Sequence, residues 1–96
     1  MVKGGYTYIM TNHAHGVLYI GVTADISERV WLHRNGMGSK FCQRYGIDRL
    51  ILVEEYPTIE EAIVREKQLK HWERAWKIEL IEAANPEWED LAQYQP

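Results

Sequence analysis

Two short runs near the start, Tyr6-Thr7-Tyr8-Ile9-Met10 and Val17-Leu18-Tyr19-Ile20-Gly21-Val22, are dense in aromatic and β-branched residues and predict strands. Thr11-Asn12-His13-Ala14-His15-Gly16 between them supplies turn formers, so the pair reads as a hairpin with a long loop. Side chains alternate along a strand. Tyr6, Tyr8 and Met10 therefore share one face of the first strand, and Val17, Tyr19 and Gly21 share one face of the second. Two tyrosines on neighbouring strands meet if the register allows it.

The pattern then becomes helical. Asp25-Ile26-Ser27-Glu28 is a capping box, and Gly36 and Gly38 end the segment after Arg34-Asn35. Ile26, Arg29, Val30 and His33 fall on one stripe. A purely structural helix fills such a stripe with apolar residues, so Arg29 and His33 stand out. Residues 36–49 predict a loop with one helical turn near Phe41–Arg44. Leu50-Ile51-Leu52-Val53, continuing toward Tyr56-Pro57, predicts a third strand buried on both faces. Thr58-Ile59-Glu60-Glu61 opens another helix, to about Trp72, with Ile59, Ala62, Ile63, Glu66 and Leu69 on its inner stripe. Glu66 must be paired, hydrogen-bonded or metal-bound, because burying a bare carboxylate costs on the order of several kcal/mol. A last helix covers residues 74–84 and stops at Asn85-Pro86. Trp72, Trp76 and Trp88 are expected in the core. Trp88 and Leu91 should dock the tail, and residues 92–96 should fray.

Composition bounds this picture. Ninety-six residues make one α+β domain, 1–96, with its core at about 5–91. At 46% hydrophobic residues the chain can build a small core without staples. A single cysteine, Cys42, excludes an internal disulfide and a multi-thiolate zinc site, and reads as a half-buried filler of an intracellular protein. The start of the chain has no leader pattern and no apolar run is long enough for a bilayer, so a cytoplasmic location and no membrane contact are expected. His13 and His15 read as turn residues rather than a metal pair. The net charge of −3 argues against a strong non-specific nucleic-acid binder. The distribution argues the other way: Arg29, Arg34, Lys40, Arg44 and Arg49 face only Asp48, and Arg65, Lys67, Lys70, Arg74 and Lys77 face Glu66 and Glu73. The two segments form a basic patch if they meet in space, and mixed-sign helix faces otherwise.

The tyrosine spacing and the residues downstream of it resemble the GIY-YIG nuclease superfamily. Its first motif is matched by Tyr6-Thr7-Tyr8, with Tyr6 in the glycine's place, and its second by Tyr19-Ile20-Gly21. Arg29 and His33 match its Arg-x-x-x-His, Glu66 within Arg65-Glu66-Lys67 its glutamate, and Asn85 its late asparagine. Lys77 through Leu91 is similar to the ending of the small stand-alone bacterial members. The resemblance spans residues 5–91 and implies a three-stranded antiparallel sheet flanked by about three helices, in the order β-β-α-β-α-α.

It also implies cleavage of phosphodiester bonds, in DNA rather than RNA, assisted by Mg²⁺ or Mn²⁺. On that reading Tyr8 activates the water, Tyr19 and His33 complete a proton network, Arg29 clamps the phosphate, and Glu66 holds the metal. Gly21 and Asn85 join Arg29 in binding substrate. A lone carboxylate suits Mg²⁺, which keeps most of its waters. A free phenol, with a pKa of roughly 10, is a poor base at neutral pH. Thr11 stands where some family members carry a lysine, so Arg29 or the metal must lower the Tyr8 pKa. Each residue also has a plainer structural reading. The tyrosines could be sheet aromatics, Arg29 could pair with Glu66, and Asn85 could be a helix C-cap. The alternative to a nuclease is a nucleic-acid-binding or partner-binding module with little catalysis. A protein partner supplying DNA targeting is compatible with either, and the oligomeric state is open.

Overall fold

The computed structural model describes residues 4–94. Its centre is a three-stranded antiparallel sheet with β1 (Gly5–Thr11) in the middle, β2 (Leu18–Thr23) on one side and β3 (Arg49–Tyr56) on the other. Four helices follow the predicted order with one addition: α1 (Ile26–Arg34), α2 (Lys40–Tyr45), α3 (Ile59–His71) and α4 (Arg74–Ala84). The addition is α2, where the sequence predicts only a single turn. Ser39 caps it by accepting from the Cys42 amide at 3.2 Å, and Gly46 ends it in the left-handed region at φ 63°.

The sheet separates two apolar clusters. On one face Tyr8, Met10 and Leu50 pack with Ile26 and Val30 of α1, Cys42 of α2, and Ile47. On the other, Ile9, Ile20 and Leu52 pack with Leu69 of α3, Ile81 of α4, and Trp88. Hairpin register sets Tyr8 opposite Gly21 and Met10 opposite Tyr19, so both tyrosines point toward α1.

The tail is tied to β3. Ile9 pairs with Leu52 and Met10 with Leu50, which leaves Ile51 as the extra residue of a bulge. Asn85 Nδ2 donates to the Ile51 carbonyl at 3.1 Å, and the Leu50 amide donates to Asp90 Oδ1 at 3.2 Å. A covered edge is one that cannot recruit another strand. Trp88 is buried and Leu91 packs against the first cluster, as expected of a docking tail. Leu91–Tyr94 form a 3₁₀ turn, and residues 95 and 96, the rest of the stretch expected to fray, lie outside the described residues.

Not all the tryptophans are core. The chain is extended at Trp72 and Glu73, so α4 leaves in a new direction and buries only Ile81 fully. Trp76 is 51% exposed and Trp72 half-buried, meeting edge to face at 6.3 Å. Arg74 donates to the carbonyls of His15 and Gly16 at 2.8 and 2.6 Å, pinning the hairpin loop to α4. His15 packs its ring on Trp88. Cys42 is fully rather than half buried, and burial pushes its thiol pKa up. No described helix is long and apolar enough to cross a membrane.

Candidate active site

The register of the hairpin builds the site's floor. Tyr8 is fully buried, and its ring end lies over Gly21. A Cβ on Gly21 would stand 2.5 Å from the ring carbon that bears the Tyr8 hydroxyl, and closer still to the hydroxyl oxygen. What comes close to Gly21 is therefore the tyrosine of the neighbouring strand. Glycine leaves the room in which that hydroxyl lies, a packing role beside the one in substrate binding expected of it. The Tyr8 hydroxyl is thereby carried from β1 across to β2, the outer strand on that side.

Around it the α1 stripe closes. Arg29 Nη1 donates to the Tyr8 hydroxyl at 3.5 Å, a long hydrogen bond, and makes no ion pair with Glu66. The Tyr8 and Tyr19 rings are 6.4 Å apart, and His33 stands edge-on to both, at 6.3 and 5.6 Å between centroids. The structure thus brings Tyr8, Tyr19, Arg29, His33 and Gly21 together.

Electrostatics in this cluster run against one expectation. Burial pushes the Tyr8 phenol up to about 12, and the nearby Arg29 charge, though it pulls the other way, is outweighed. The resting phenol is a weaker acid than a free tyrosine. Burial and Arg29 both lower the His33 pKa, and the Ile47 backbone opposes them. His33 is therefore held as a neutral imidazole. It is only 7% exposed, and its Nδ1 has no hydrogen-bond partner, alone in this among the buried side-chain polar atoms of the described residues. Gly38 lies against that nitrogen, where a Cβ would come within 2.9 Å.

Glu66 and Asn85 make their bonds outside this cluster. Glu66 belongs to α3, which packs on the opposite face of the sheet, where Thr7 Oγ1 donates to the Ala62 carbonyl at 2.7 Å. Its carboxylate is 15% exposed and pairs with Lys70 one turn on, at 3.3 Å. No hydrogen bond, ring contact or ion pair among the described residues joins it to the tyrosines. α3 lies mainly over β1 and β2, the strands that carry Tyr8 and Tyr19. Asn85 is a folding residue in this structure. Its amide donates to Ile51 and Glu89 and its Oδ1 accepts from the Glu89 amide, and none of these bonds faces the cluster.

Two residues of the site escape sequence reasoning. The sequence marks Gly38 only as a helix stop and Phe41 only as part of a turn. Phe41 stacks on Tyr19 with centroids 6.4 Å apart. An aromatic residue opening a Ser-capped turn is the available signal.

Fold and cluster together define a GIY-YIG domain. The family model of the GIY-YIG catalytic domain matches residues 4–79, and the chain belongs to that family, a superfamily of nucleases. Among its curated relatives it is similar to a UPF0213 protein of Halalkalibacterium halodurans, 34% identical over 76 residues, covering 79% of this chain and 80% of that one. A UPF0213 protein of Staphylococcus saprophyticus is 36% identical over 76 residues, covering 79% of this chain and 92% of the relative. The solution NMR structure of the UPF0213 protein from Bacillus halodurans superposes with a TM-score of 0.57 at 29% identity, covering 96% of this chain and 97% of that one.

Proposed function

We propose that the chain is a divalent-metal-assisted endonuclease that hydrolyses phosphodiester bonds of DNA. One observation carries the reading: a buried phenol, an unpaired guanidinium and a neutral imidazole with an unmet nitrogen converge on one glycine-floored spot. Arg29 has no acidic partner among the described residues, and its planar fork suits a phosphate oxygen. On this reading Tyr8 is the group that activates the attacking water. It is held as a phenol at rest, so its proton leaves only when positive charge or an acceptor comes near. His33, neutral and with a free nitrogen, is the group able to take up a proton at neutral pH. Tyr19 packs between His33 and Phe41 and fixes the ring positions.

The donor set fits Mg²⁺ in one mode only. No cluster of three or more His, Cys, Asp or Glu among the described residues could cage an ion, whereas Glu66 offers one hard, partly exposed oxygen pair once Lys70 moves aside. Mg²⁺ bound through one carboxylate and the substrate phosphate would supply Lewis-acid charge. The burial of Tyr8 and the Glu66–Lys70 pair favour a second reading, a binding module with little turnover. Nicked, branched and single-stranded DNA and RNA incubated with Mg²⁺ or Mn²⁺ separate the two. The nuclease reading requires cleavage of at least one substrate, lost in Glu66→Ala; no cleavage, or equal cleavage by the variant, refutes it.

A further inference from the structure

We propose that Phe41 and Tyr45 form a stacking platform for unpaired bases beside the tyrosine cluster, so that the preferred substrate presents single-stranded nucleotides at the cut. This rests on reading the cluster as the nucleic-acid site and names its substrate class. The rings form a continuous path from the buried site to solvent. Tyr8 meets Tyr19 at 6.4 Å, Tyr19 stacks on Phe41 at 6.4 Å with 29° between the planes, and Phe41 meets Tyr45 at 4.8 Å. Burial falls along the path: Tyr8 is fully buried, Tyr19 half-buried, and Phe41 and Tyr45 are 45% and 42% exposed. Large aromatic rings left in water on a helix of only six residues offer π-faces, and every base has one to match.

The charge beside those rings selects the occupant. Lys40 and Arg44 are the only charged residues of α2, and neither has an acidic partner among the described residues. Arg44 lies 5.7 Å from the Tyr45 ring centre. Unpaired cations alternating with open rings fit a phosphate backbone with its bases turned inward. The second exposed aromatic group, Trp72 and Trp76, has an open ring in Trp76 but a carboxylate beside it and a covered ring in Trp72. Its groove includes Glu79, and Arg65 already covers the Trp72 ring at 5.0 Å while pairing with Glu54. A regular duplex keeps its bases stacked on each other and offers α2 only its backbone.

The test uses the full chain with EDTA present, so that binding is read without cleavage. A short DNA strand carrying 2-aminopurine is compared with the same strand in a blunt duplex, for wild type, Phe41→Leu and Tyr45→Ala. Thermal melts check that each variant folds. The wild type should bind the single strand about tenfold or more tightly than the duplex and quench its fluorescence. Phe41→Leu, which keeps apolar bulk but removes the ring, should lose about tenfold in single-strand affinity together with the quench, and leave duplex binding unchanged. Equal affinity for strand and duplex, no binding of either, or a quench that survives Phe41→Leu overturns the proposal. The last two outcomes are those expected if α2 instead docks a protein. A separate Mg²⁺ cleavage assay keeps the two readings apart. Phe41-dependent binding without cleavage refutes the nuclease reading alone, while equal cutting of strand and duplex unaffected by Phe41→Leu refutes the platform alone.

Discussion

The two faces of the sheet bury polar groups on opposite terms. On the α3–α4 face each one is engaged. Thr7 bonds the Ala62 carbonyl, Asn85 makes three bonds, and Trp88 Nε1 donates to Glu82 at 2.8 Å. On the α1–α2 face Tyr8 receives only the long bond from Arg29, and His33 Nδ1 receives nothing. Folded chains rarely leave a buried polar atom unmet. On the proposed reading, the one that persists here beside perturbed pKa values is a place prepared for a ligand. The contrast separates residues that make the fold from residues that the fold holds in readiness.

That division makes paired predictions. The largest effect belongs to Tyr8→Phe, which deletes the hydroxyl and keeps the ring. Cleavage should fall by about 10²–10⁴-fold, while the melting temperature holds or rises, because little hydrogen bonding is lost with a buried hydroxyl. Wild-type cleavage by this variant would end the case for the α1–α2 face as a site. Asn85→Ala should do the reverse. Removing three bonds, one buried and two part-buried, leaves the Ile51 and Glu89 groups unmet and should cost about 3 kcal/mol in urea unfolding, with cleavage per folded molecule intact. Loss of activity without loss of stability would restore the substrate-binding role expected for Asn85.

Between these in legibility and in size stands Gly21. Convergence of Tyr8, Tyr19, Arg29 and His33 was readable because it follows from two periodicities, alternation on strands and the helical stripe. The role of Gly21 was not, because it depends on which residue lies opposite, and register is a tertiary fact. The same limit shortened α2 to a single expected turn near Phe41–Arg44, and misplaced Trp76, whose direction is decided by the break at Trp72. The partner of Glu66 was legible and missed: Lys70 stands four residues on, the ordinary spacing for a helical ion pair. Gly21→Ala tests the register directly. Its methyl must displace the Tyr8 hydroxyl, so stability should fall by about 1–3 kcal/mol and cleavage should fall with it. In the double variant Gly21→Ala/Tyr8→Phe part of the stability should return, because the oxygen nearest the new Cβ is gone. A fully additive pair would mean that the two residues do not share that space.

The smallest expected effect lies at His33, and it bears on the unmet nitrogen itself. The folded pKa of His33 lies below its ordinary value of 6.5, so between the two the unfolded chain binds a proton that the folded chain does not. Unfolding is then favoured as pH drops: stability is full above about 6.5 and declines as pH falls toward the lowered folded value. The charges and titratable groups around the imidazole leave the window clear, since Tyr8 ionises near 12 and the Cys42 pKa is raised. Urea midpoints should therefore fall on moving from pH 7.5 to 5.5, and His33→Asn should show a shallower fall than the wild type. His13, His15 and His71 are present in both proteins, so the difference between the two curves reports on the substituted position. Identical slopes would mean that His33 accepts a proton as easily folded as unfolded. Its Nδ1 would then be met by solvent, and the difference between the two faces would shrink to Tyr8 alone.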